Sequence, residues 1–209
     1  MPLMIDLFSG LHGASAAFTD HGWGVISIER NRDLTATYHM DVKAQKDEIV
    51  QLLNKLERID FLWASPPCYE FSHAYPAPKS VAARAGELDS YEPDMSVVLA
   101  TIDIIRAVKP RYWALENVQG ACRYFRPHLG EHRIKLGAAY IWGNFPRLGF
   151  KEITKSHKKE LFSKTGKNTP NRSNVHAKIP YWISEQIRQS VQYQMMLDDF
   201  AESLPQSRG

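Results

Sequence analysis

The sequence predicts an α/β protein with a mostly parallel, doubly wound sheet. In the first half of the chain, short apolar runs alternate with segments of helical periodicity, and each run ends in glycine or polar residues. Strands that alternate with helices need right-handed crossovers, which produce a parallel sheet. Because such sheets bind ligands beyond the carboxyl ends of their strands, we expect the functional residues at those ends.

The predicted elements follow in chain order. Apolar runs predict strands at residues 3–8, 24–28, 60–64 and 112–115, and helical periodicity predicts helices at 14–20, 49–56 and 94–108. The second half is less regular, with a predicted strand at 138–145 that forms a hairpin with 149–153. Pro180 then opens a predicted helix in which Ile183, Ile187 and Val191 recur at four-residue steps.

Length and composition indicate one domain, or one domain with a small appendage. The 209 residues are 44% hydrophobic and 23% charged, which is typical of a globular protein with a substantial core. No run approaches the roughly 20 apolar residues of a membrane span, and the first residues lack the pattern of a signal peptide. The two cysteines lie far apart, which predicts a reducing, cytoplasmic environment, and no His/Cys cluster has the spacing of a metal site.

A basic segment follows the predicted sheet. Residues 151–172 contain seven basic and two acidic side chains, a local charge of +5 in a chain whose net charge is +3. Such a localised stretch suits a polyanionic partner, although on charge alone a solvated loop explains it equally well. The candidate nucleic-acid contacts are Lys155, Lys158, Lys159, Lys164, Lys167 and Arg172.

The first two strand ends carry the features of a nucleotide-type site. The first strand enters the turn Ser9-Gly10-Leu11-His12-Gly13 before a helix, and glycines there let a ligand approach the backbone. The N-terminus of the helix favours an anionic group such as a carboxylate. Glu29 ends the second strand, where an acidic side chain holds ribose hydroxyls; the alternative is a surface acid beside Arg30.

The third strand end presents a candidate nucleophile. Two prolines fix the backbone directly before Cys68, at the expected mouth of the crevice. A thiol near a helix start or basic groups becomes a nucleophile once it is a thiolate. The alternative is a buried structural cysteine, which is less natural directly after Pro66-Pro67 at a strand end.

The fourth strand end supplies a carboxyl group, Glu116. A carboxyl at the end of an apolar strand loses water, which raises its pKa and lets it carry a proton near neutral pH. A cysteine nucleophile and a protonated glutamate facing one pocket can activate a pyrimidine ring. The thiolate adds to C6 while the acid engages N3, so that negative charge moves onto C5.

Three segments resemble signature motifs of the DNA cytosine-C5 methyltransferases. Residues 6–10 with Gly13 are similar to the first motif, residues 66–68 with Phe71 and Ser72 to the fourth, and residues 116–118 to the sixth. They occur in the family's order, and the resemblance is good over residues 3–120. It implies a Rossmann-like fold that depends on S-adenosylmethionine (SAM). The amino-methylating classes of DNA methyltransferase place Tyr or Phe where Cys68 stands.

The resemblance implies a set of SAM contacts. Glu29 would hold the ribose, Asp41 would meet the adenine amino group, and Asn174 lies in a segment similar to the final motif. The remaining implied contacts belong to the first and fourth motifs and are Asp6, Phe8, Ser9, Gly10, Gly13 and Pro66.

The resemblance also implies the reaction. Cys68 would attack C6 of a cytosine flipped out of double-stranded DNA, Glu116 would engage N3, and the methyl group would pass from SAM to C5. Residues 69–91 resemble the mobile loop that closes over the base, with Ser72 as a predicted DNA contact. Arg133 is the nearest match to the arginines of the eighth motif; the alternative is contact with phosphate or solvent.

The family's large target-recognition region has no counterpart here except the basic segment, as in compact phage-type enzymes. The predicted organisation is a SAM-binding and catalytic domain at 1–150, a recognition segment at 151–175, a C-terminal helix packing back at 176–198 and a frayed tail at 199–209. A partner subunit or a homodimer could then supply specificity. Expression in the cytoplasm of a bacterial or phage-infected cell is expected.

Two other functions stay open at this stage. One is methylation of a structured RNA by the same chemistry, as one branch of this family does with tRNA. The other is a non-catalytic relic that binds SAM or nucleic acid, against which the intact Cys68 and Glu116 argue.

Overall fold

The computed structural model describes residues 1–74, 77–147, 149–150 and 177–203. Within these ranges, seven strands form one sheet in the order β3-β2-β1-β4-β5-β7-β6. Strands β1 to β5 pair in parallel, whereas β7 runs antiparallel to both β5 and β6. The protein therefore has the expected α/β fold with a mostly parallel sheet.

In the described ranges, helices separate the first five strands except at β2 and β3, which follow each other without a helix between them. The strands are β1 (Leu3–Leu7), β2 (Gly24–Glu29), β3 (Tyr38–His39), β4 (Phe61–Ala64), β5 (Tyr112–Asn117), β6 (Ile134–Leu136) and β7 (Ala139–Gly143). The helices are α1 (Ala16–Asp20), α2 (Lys46–Leu53), α3 (Pro78–Ala85), α4 (Ser96–Val108), α5 (Cys122–Leu129) and α6 (Tyr181–Ser203). Short 3₁₀ turns cover Tyr69–Phe71 and Gln119–Ala121.

The central strands are buried on both faces, which explains their continuous apolar runs. Side chains alternate across a strand, so neighbours enter different cores. One core contains Ile5 and Leu62 and packs against α2, α4 and α5. The other contains Met4 and Trp63 and packs against α1 and α6. The sheet is thus anchored by a hydrophobic core on each face, and the carboxyl ends of its strands can hold side chains in fixed positions.

Helix α6 closes the second core. The hydroxyl of Ser184 donates to the carbonyl of Ala14 at 2.5 Å and accepts from the backbone N–H of Ala17 at 3.3 Å. Ile183, Ile187 and Val191 are fully buried at the four-residue steps that the sequence shows. Ala14 directly precedes α1 and Ala17 lies in it, so these hydrogen bonds join the C-terminal helix to the start of α1. No helix of the described residues is both long and apolar enough to span a membrane.

Three sequence-based expectations are corrected. Strand β7 is shorter than 138–145, because Gly143 has φ +144° and a Cβ there would lie 2.1 Å from the Trp113 carbonyl oxygen. Its hairpin partner is β6, whereas Gly149 and Phe150 lie in no strand and residues 151–153 fall outside the described residues. Helix α6 extends to Ser203, so residues 199–203 are helical and not part of a frayed tail.

Candidate active site

A crevice of about 550 Å³ lies beyond the carboxyl ends of β1, β2 and β4. This is the place that the sheet topology predicts for a ligand. Its wall contains nine of the residues singled out from the sequence: Asp6, Phe8, Ser9, Gly10, Gly13, Glu29, Asp41, Cys68 and Ser72.

The turn after β1 is held in a strained shape. Phe8 has φ +62°, a left-handed conformation that is unusual for a residue with a side chain, and Gly10 has φ +51°. The backbone N–H groups of Phe8 and Ser9 both donate to the carbonyl of Ile28, at 2.9 and 3.3 Å. The end of β2 thus fixes the turn against which a ligand would lie.

Two acidic residues brace this part of the wall. The Glu29 carboxylate accepts hydrogen bonds from the N–H groups of Gly10 at 3.0 Å and Asn31 at 2.9 Å. Asp41 accepts from the N–H groups of two following residues, and these bonds lower the pKa of its carboxyl. Both carboxylates line the crevice, and Glu29 also holds the shape of the glycine turn.

Two polar atoms in the wall are buried without a hydrogen-bond partner among the described residues. They are Asp6 Oδ2 and Ser9 Oγ, on residues that are 1% and 5% exposed. Burial raises the pKa of Asp6 to about 7, with a further contribution from the charge of Glu29. Because unpaired buried polar atoms are costly, this wall is suited to a ligand that supplies hydrogen bonds.

The backbone before Cys68 is anchored to β5. The side-chain amide of Asn117, which is 1% exposed, donates to the carbonyl of Pro66 at 3.0 Å. Its side-chain oxygen accepts from the N–H of Val118 at 2.9 Å, so both hydrogen bonds together fix the orientation of the amide group. Asn117 therefore holds the segment that carries Cys68 beside the strand that carries Glu116.

The pKa values of Glu116 and Cys68 are both raised, and the charge of Glu116 contributes to the rise at Cys68. Burial raises the pKa of Glu116 to about 7, and a hydrogen bond from Ser65 opposes the rise. Burial also raises the pKa of the Cys68 thiol, and the charge of Glu116 raises it further. Around neutral pH the pair thus holds a thiol beside a carboxyl group that is close to its titration midpoint.

The segment after Cys68 is folded, although the sequence suggests a loop over residues 69–91. It contains α3, which begins at Pro78 and ends before Gly86, a glycine with φ +76°. The hydroxyl of Tyr91 donates to the Glu70 carboxylate at 2.7 Å, and burial together with this hydrogen bond raises the pKa of Tyr91 above its ordinary value. The two ends of the segment are therefore joined.

Several predicted residues do not reach the crevice. Glu116, which was expected to face one pocket with Cys68, lies near the end of β5 and is not part of the crevice wall. Pro66 is buried and turns its carbonyl to Asn117, and Pro67 lines the wall instead. The guanidinium of Arg133 lies 5.7 Å from the ring centroid of Phe145, and Arg133 is not part of the crevice wall. Asn174, Lys155, Lys158, Lys159, Lys164, Lys167 and Arg172 fall outside the described residues.

The structure adds wall residues that were not singled out from the sequence. Ala177, Lys178 and Ile179 line the crevice just before α6. A Cβ on Gly13 would lie 2.4 Å from the carbonyl oxygen of Ile179, so this glycine admits the C-terminal segment to the site. The sequence signals were the glycine itself and the resemblance of the segment around residues 172–180 to the family's final motif, but the contact of Gly13 with Ile179 is not encoded in any local pattern.

Comparison with known proteins identifies the family. Residues 3–124, more than half of the chain, match the model of the C-5 cytosine-specific DNA methylases. The chain belongs to the C-5 cytosine-specific DNA methylase family. The matched range includes β1 to β5 and both Cys68 and Glu116, so the candidate site lies wholly on the part that the family shares, apart from residues 177–179.

The similarity to individual proteins is partial. The type II methyltransferase M.HgiCI of Herpetosiphon aurantiacus is 28% identical over 124 residues, which are 56% of this chain and 27% of that protein. The chain thus spans about a quarter of the length of this relative. Among solved structures, a DNA modification methyltransferase encoded within an E. coli prophage aligns over 78% of this chain and 50% of its own, with 20% identity and a TM-score of 0.46. A mutant of Spodoptera frugiperda DNMT2 aligns over 57% and 36%, with 19% identity and a TM-score of 0.37.

Proposed function

We propose that this chain methylates cytosine at C5 in DNA and takes the methyl group from SAM. The observation that carries the proposal is Cys68 in the wall of the crevice, close enough to Glu116 for the charge of that carboxylate to raise its pKa, in a chain of the C-5 cytosine-specific DNA methylase family. A thiol and a carboxyl group titrating near neutral pH are the two groups that activation of a pyrimidine ring needs.

The crevice fits SAM in size and in the polarity of its wall. Its volume is within the range of small-molecule sites, and Asp6 and Ser9 leave buried polar atoms to be paired. In the proposed complex, Phe8, Ser9, Gly10 and Gly13 surround the amino-acid part, and Glu29 and Asp41 take the ribose and adenine ends. SAM supplies an electrophilic methyl group.

The chemistry at the base divides between the two side chains. Cys68, as thiolate, adds to C6 of the extruded cytosine and forms a carbon–sulfur bond, while Glu116 donates a hydrogen bond or proton to N3. Electron density then moves to C5, the atom that receives the methyl group. Loss of the C5 proton afterwards expels the Cys68 sulfur and restores the aromatic ring. A protonated Glu116 favours the first step, because its negative charge no longer opposes ionisation of the thiol.

Double-stranded DNA is the proposed substrate, and the cytoplasm is the proposed site of action. In this proposal the basic segment at 151–172 contacts the DNA backbone. The proposed biological role of the chain is modification of DNA within a restriction or phage system. A partner subunit or second copy is proposed as a source of sequence specificity, because the segment is short.

Bisulfite sequencing of plasmid from cells that express this chain tests the proposal. Protected cytosines in a fixed sequence context are the expected result, and they must vanish with Cys68→Ser. Transfer of labelled methyl groups to duplex DNA and to tRNA should be measured in parallel. Incorporation into tRNA alone would overturn the DNA assignment, and SAM binding without any transfer or covalent adduct to 5-fluorocytosine DNA would indicate a non-catalytic protein.

A further inference from the structure

A second pocket lies on the other side of the segment that follows Cys68. Ser72 and Ala74 line the crevice, whereas His73, between them, lines this second pocket. One backbone segment therefore separates the two cavities and contributes side chains to both.

Part of the wall of the second pocket is formed by the turn that follows β5. Gln119 and Gly120 belong to it and follow Glu116 by three and four residues. Tyr140 of β7 also belongs to it and lies opposite Asn117 in the sheet register. The pocket is thus next to the proposed catalytic pair but separate from the cofactor crevice.

The second pocket is strongly basic. Among the described residues its wall has three cations, Lys79, Arg123 and Arg126, and one carboxylate, Glu131. Arg126 Nε lies 2.6 Å from Glu131 Oε1, so that carboxylate already has a partner. In the part of the chain that the structure describes, Lys79 and Arg123 form no ion pair, and two positive charges are left uncompensated.

Lys79 is an unusual member of this wall because it is only 7% exposed. Its ammonium donates to the carbonyl of Gly120 at 2.9 Å and lies 5.4 Å from the ring centroid of Tyr124. The guanidinium of Arg123 lies 5.3 Å from the same ring. Burial and the charge of Arg123 together lower the pKa of Lys79. Two like charges thus lie near one aromatic ring, and neither has an acidic partner among the described residues.

We propose that this pocket binds a phosphate group, which in the working complex is a phosphodiester of the DNA strand that carries the target base. The inference rests on the proposed function for the identity of that strand. An ammonium has three donors and Lys79 spends one on Gly120, while a guanidinium such as that of Arg123 can bind phosphate oxygens in pairs. The anion also removes the repulsion between the two cations.

The position of Lys79 ties the phosphate to the chemistry. A Cβ on Gly120 would lie 1.9 Å from the carbonyl oxygen of Phe71, so the turn after β5 and the turn after Cys68 touch directly at the residue that Lys79 holds. A phosphate bound by Lys79 therefore stabilises the contact between the two backbone segments that carry Cys68 and Glu116.

The salt dependence of DNA binding tests the proposal. A short fluorescent duplex is titrated with the wild-type chain and with Arg123→Gln over a series of NaCl concentrations, and anisotropy gives Kd. Removing one phosphate contact should weaken binding several-fold and reduce the slope of log Kd against log salt by about 1. Lys55→Gln, which removes an exposed charge before β4 at the opposite edge of the sheet, is the matched control and should leave the slope unchanged.

A second measurement separates the pocket from the rest of the DNA surface. Inorganic phosphate is titrated while the ring-proton signals of His73 and His132, both in the wall, are followed by NMR. Shifts in the wild type that are lost in Arg123→Gln support the site. Equal salt slopes for Arg123→Gln and Lys55→Gln would overturn the DNA-phosphate assignment, and if phosphate still shifted the signals the pocket would belong to a free anion. Methyl transfer is scored separately, so its absence would count against the proposed function alone.

Discussion

Cys68 and Glu116 lie at the same edge of the sheet, because β4 and β5 pair in parallel. Glu116 lies near the end of β5, and Cys68 follows β4 by four residues. Burial raises the pKa of the Cys68 thiol, and the charge of Glu116 raises it further. In the proposed mechanism, protonation of Glu116 therefore removes one of the two obstacles to thiolate formation and leaves burial as the other.

Glu116→Gln should lower the pKa of Cys68, because it removes one of the two causes of the rise and leaves burial in place. The rate of alkylation by iodoacetamide at pH 8, measured by mass spectrometry, should increase several-fold, whereas methyl transfer should fall. The experiment needs a Cys122→Ser background, since Cys122 is the other free thiol. An unchanged alkylation profile would mean that the two groups are not coupled.

Cys68→Ser should abolish turnover and leave SAM binding within a few fold, because in the proposed mechanism the thiol acts on the base and not on the cofactor. A fall of at least about a thousand-fold in rate is expected for loss of a nucleophile. Calorimetry with SAM and gel analysis of adducts with 5-fluorocytosine DNA give the two readouts. Equal loss of both activities would show that Cys68 is a structural residue.

Gly13→Ala should destabilise the protein, because the new methyl group would meet the backbone of Ile179 at 2.4–2.6 Å. Overpacking of this kind costs about 1–3 kcal/mol, and displacement of residues 177–179 should also weaken SAM binding. Urea unfolding and calorimetry provide the measurements. Gly24→Ala is the control, since its nearest neighbour is the flexible end of Met1 at 3.1 Å; a similar loss in both variants would contradict the steric explanation.

Asp6 should make the protein less stable as pH rises from about 4 to about 7. Its pKa is raised from 3.8 to about 7 in the folded state, so over this interval the folded chain keeps a proton that the unfolded chain has lost. Unfolding then releases a proton, and stability falls by up to about 1.4 kcal/mol per pH unit before it levels off above pH 7. Glu116 contributes in the same direction, since its pKa also rises to about 7.

Asp6→Asn should flatten this dependence, and urea unfolding at a series of pH values would measure it. Asp89 is exposed, so Asp89→Asn is the control and should retain the wild-type slope of unfolding free energy against pH. If Asp6→Asn showed the wild-type slope as well, the carboxyl of Asp6 would have to be ionised in the folded protein throughout the interval.

The parallel half of the sheet could be predicted from the sequence because its signals are local. Apolar runs that end in glycine or polar residues give β1, β2, β4 and β5, and the topology of parallel strands then brings their ends together. Cys68 and most of the crevice wall follow from that rule alone. The expectation that Glu116 has a raised pKa rests on the same local reasoning about an acid at the end of an apolar strand.

The antiparallel end of the sheet and the surroundings of the second pocket depend on long-range contacts that no local sequence pattern encodes. Strand β6 has only three residues, and α5 contains Pro127, which weakens any helical signal. The burial of Lys79 needs a carbonyl from Gly120, 41 residues away. The match of Arg133 to the eighth motif rests on order along the chain, whereas in the fold its guanidinium lies over the ring of Phe145 and outside the crevice wall.

The absence of a side chain at position 120 has a wider consequence for how this molecule can change. Any larger residue there would meet the carbonyl oxygen of Phe71 and push the turn after β5 away from the turn after β4. Because Ser72 and Ala74, just beyond Phe71, line the crevice while His73 lines the second pocket, one added methyl group would reshape both cavities at once. The smallest possible substitution at this position would thus alter two ligand surfaces that no single one of their own wall residues shares.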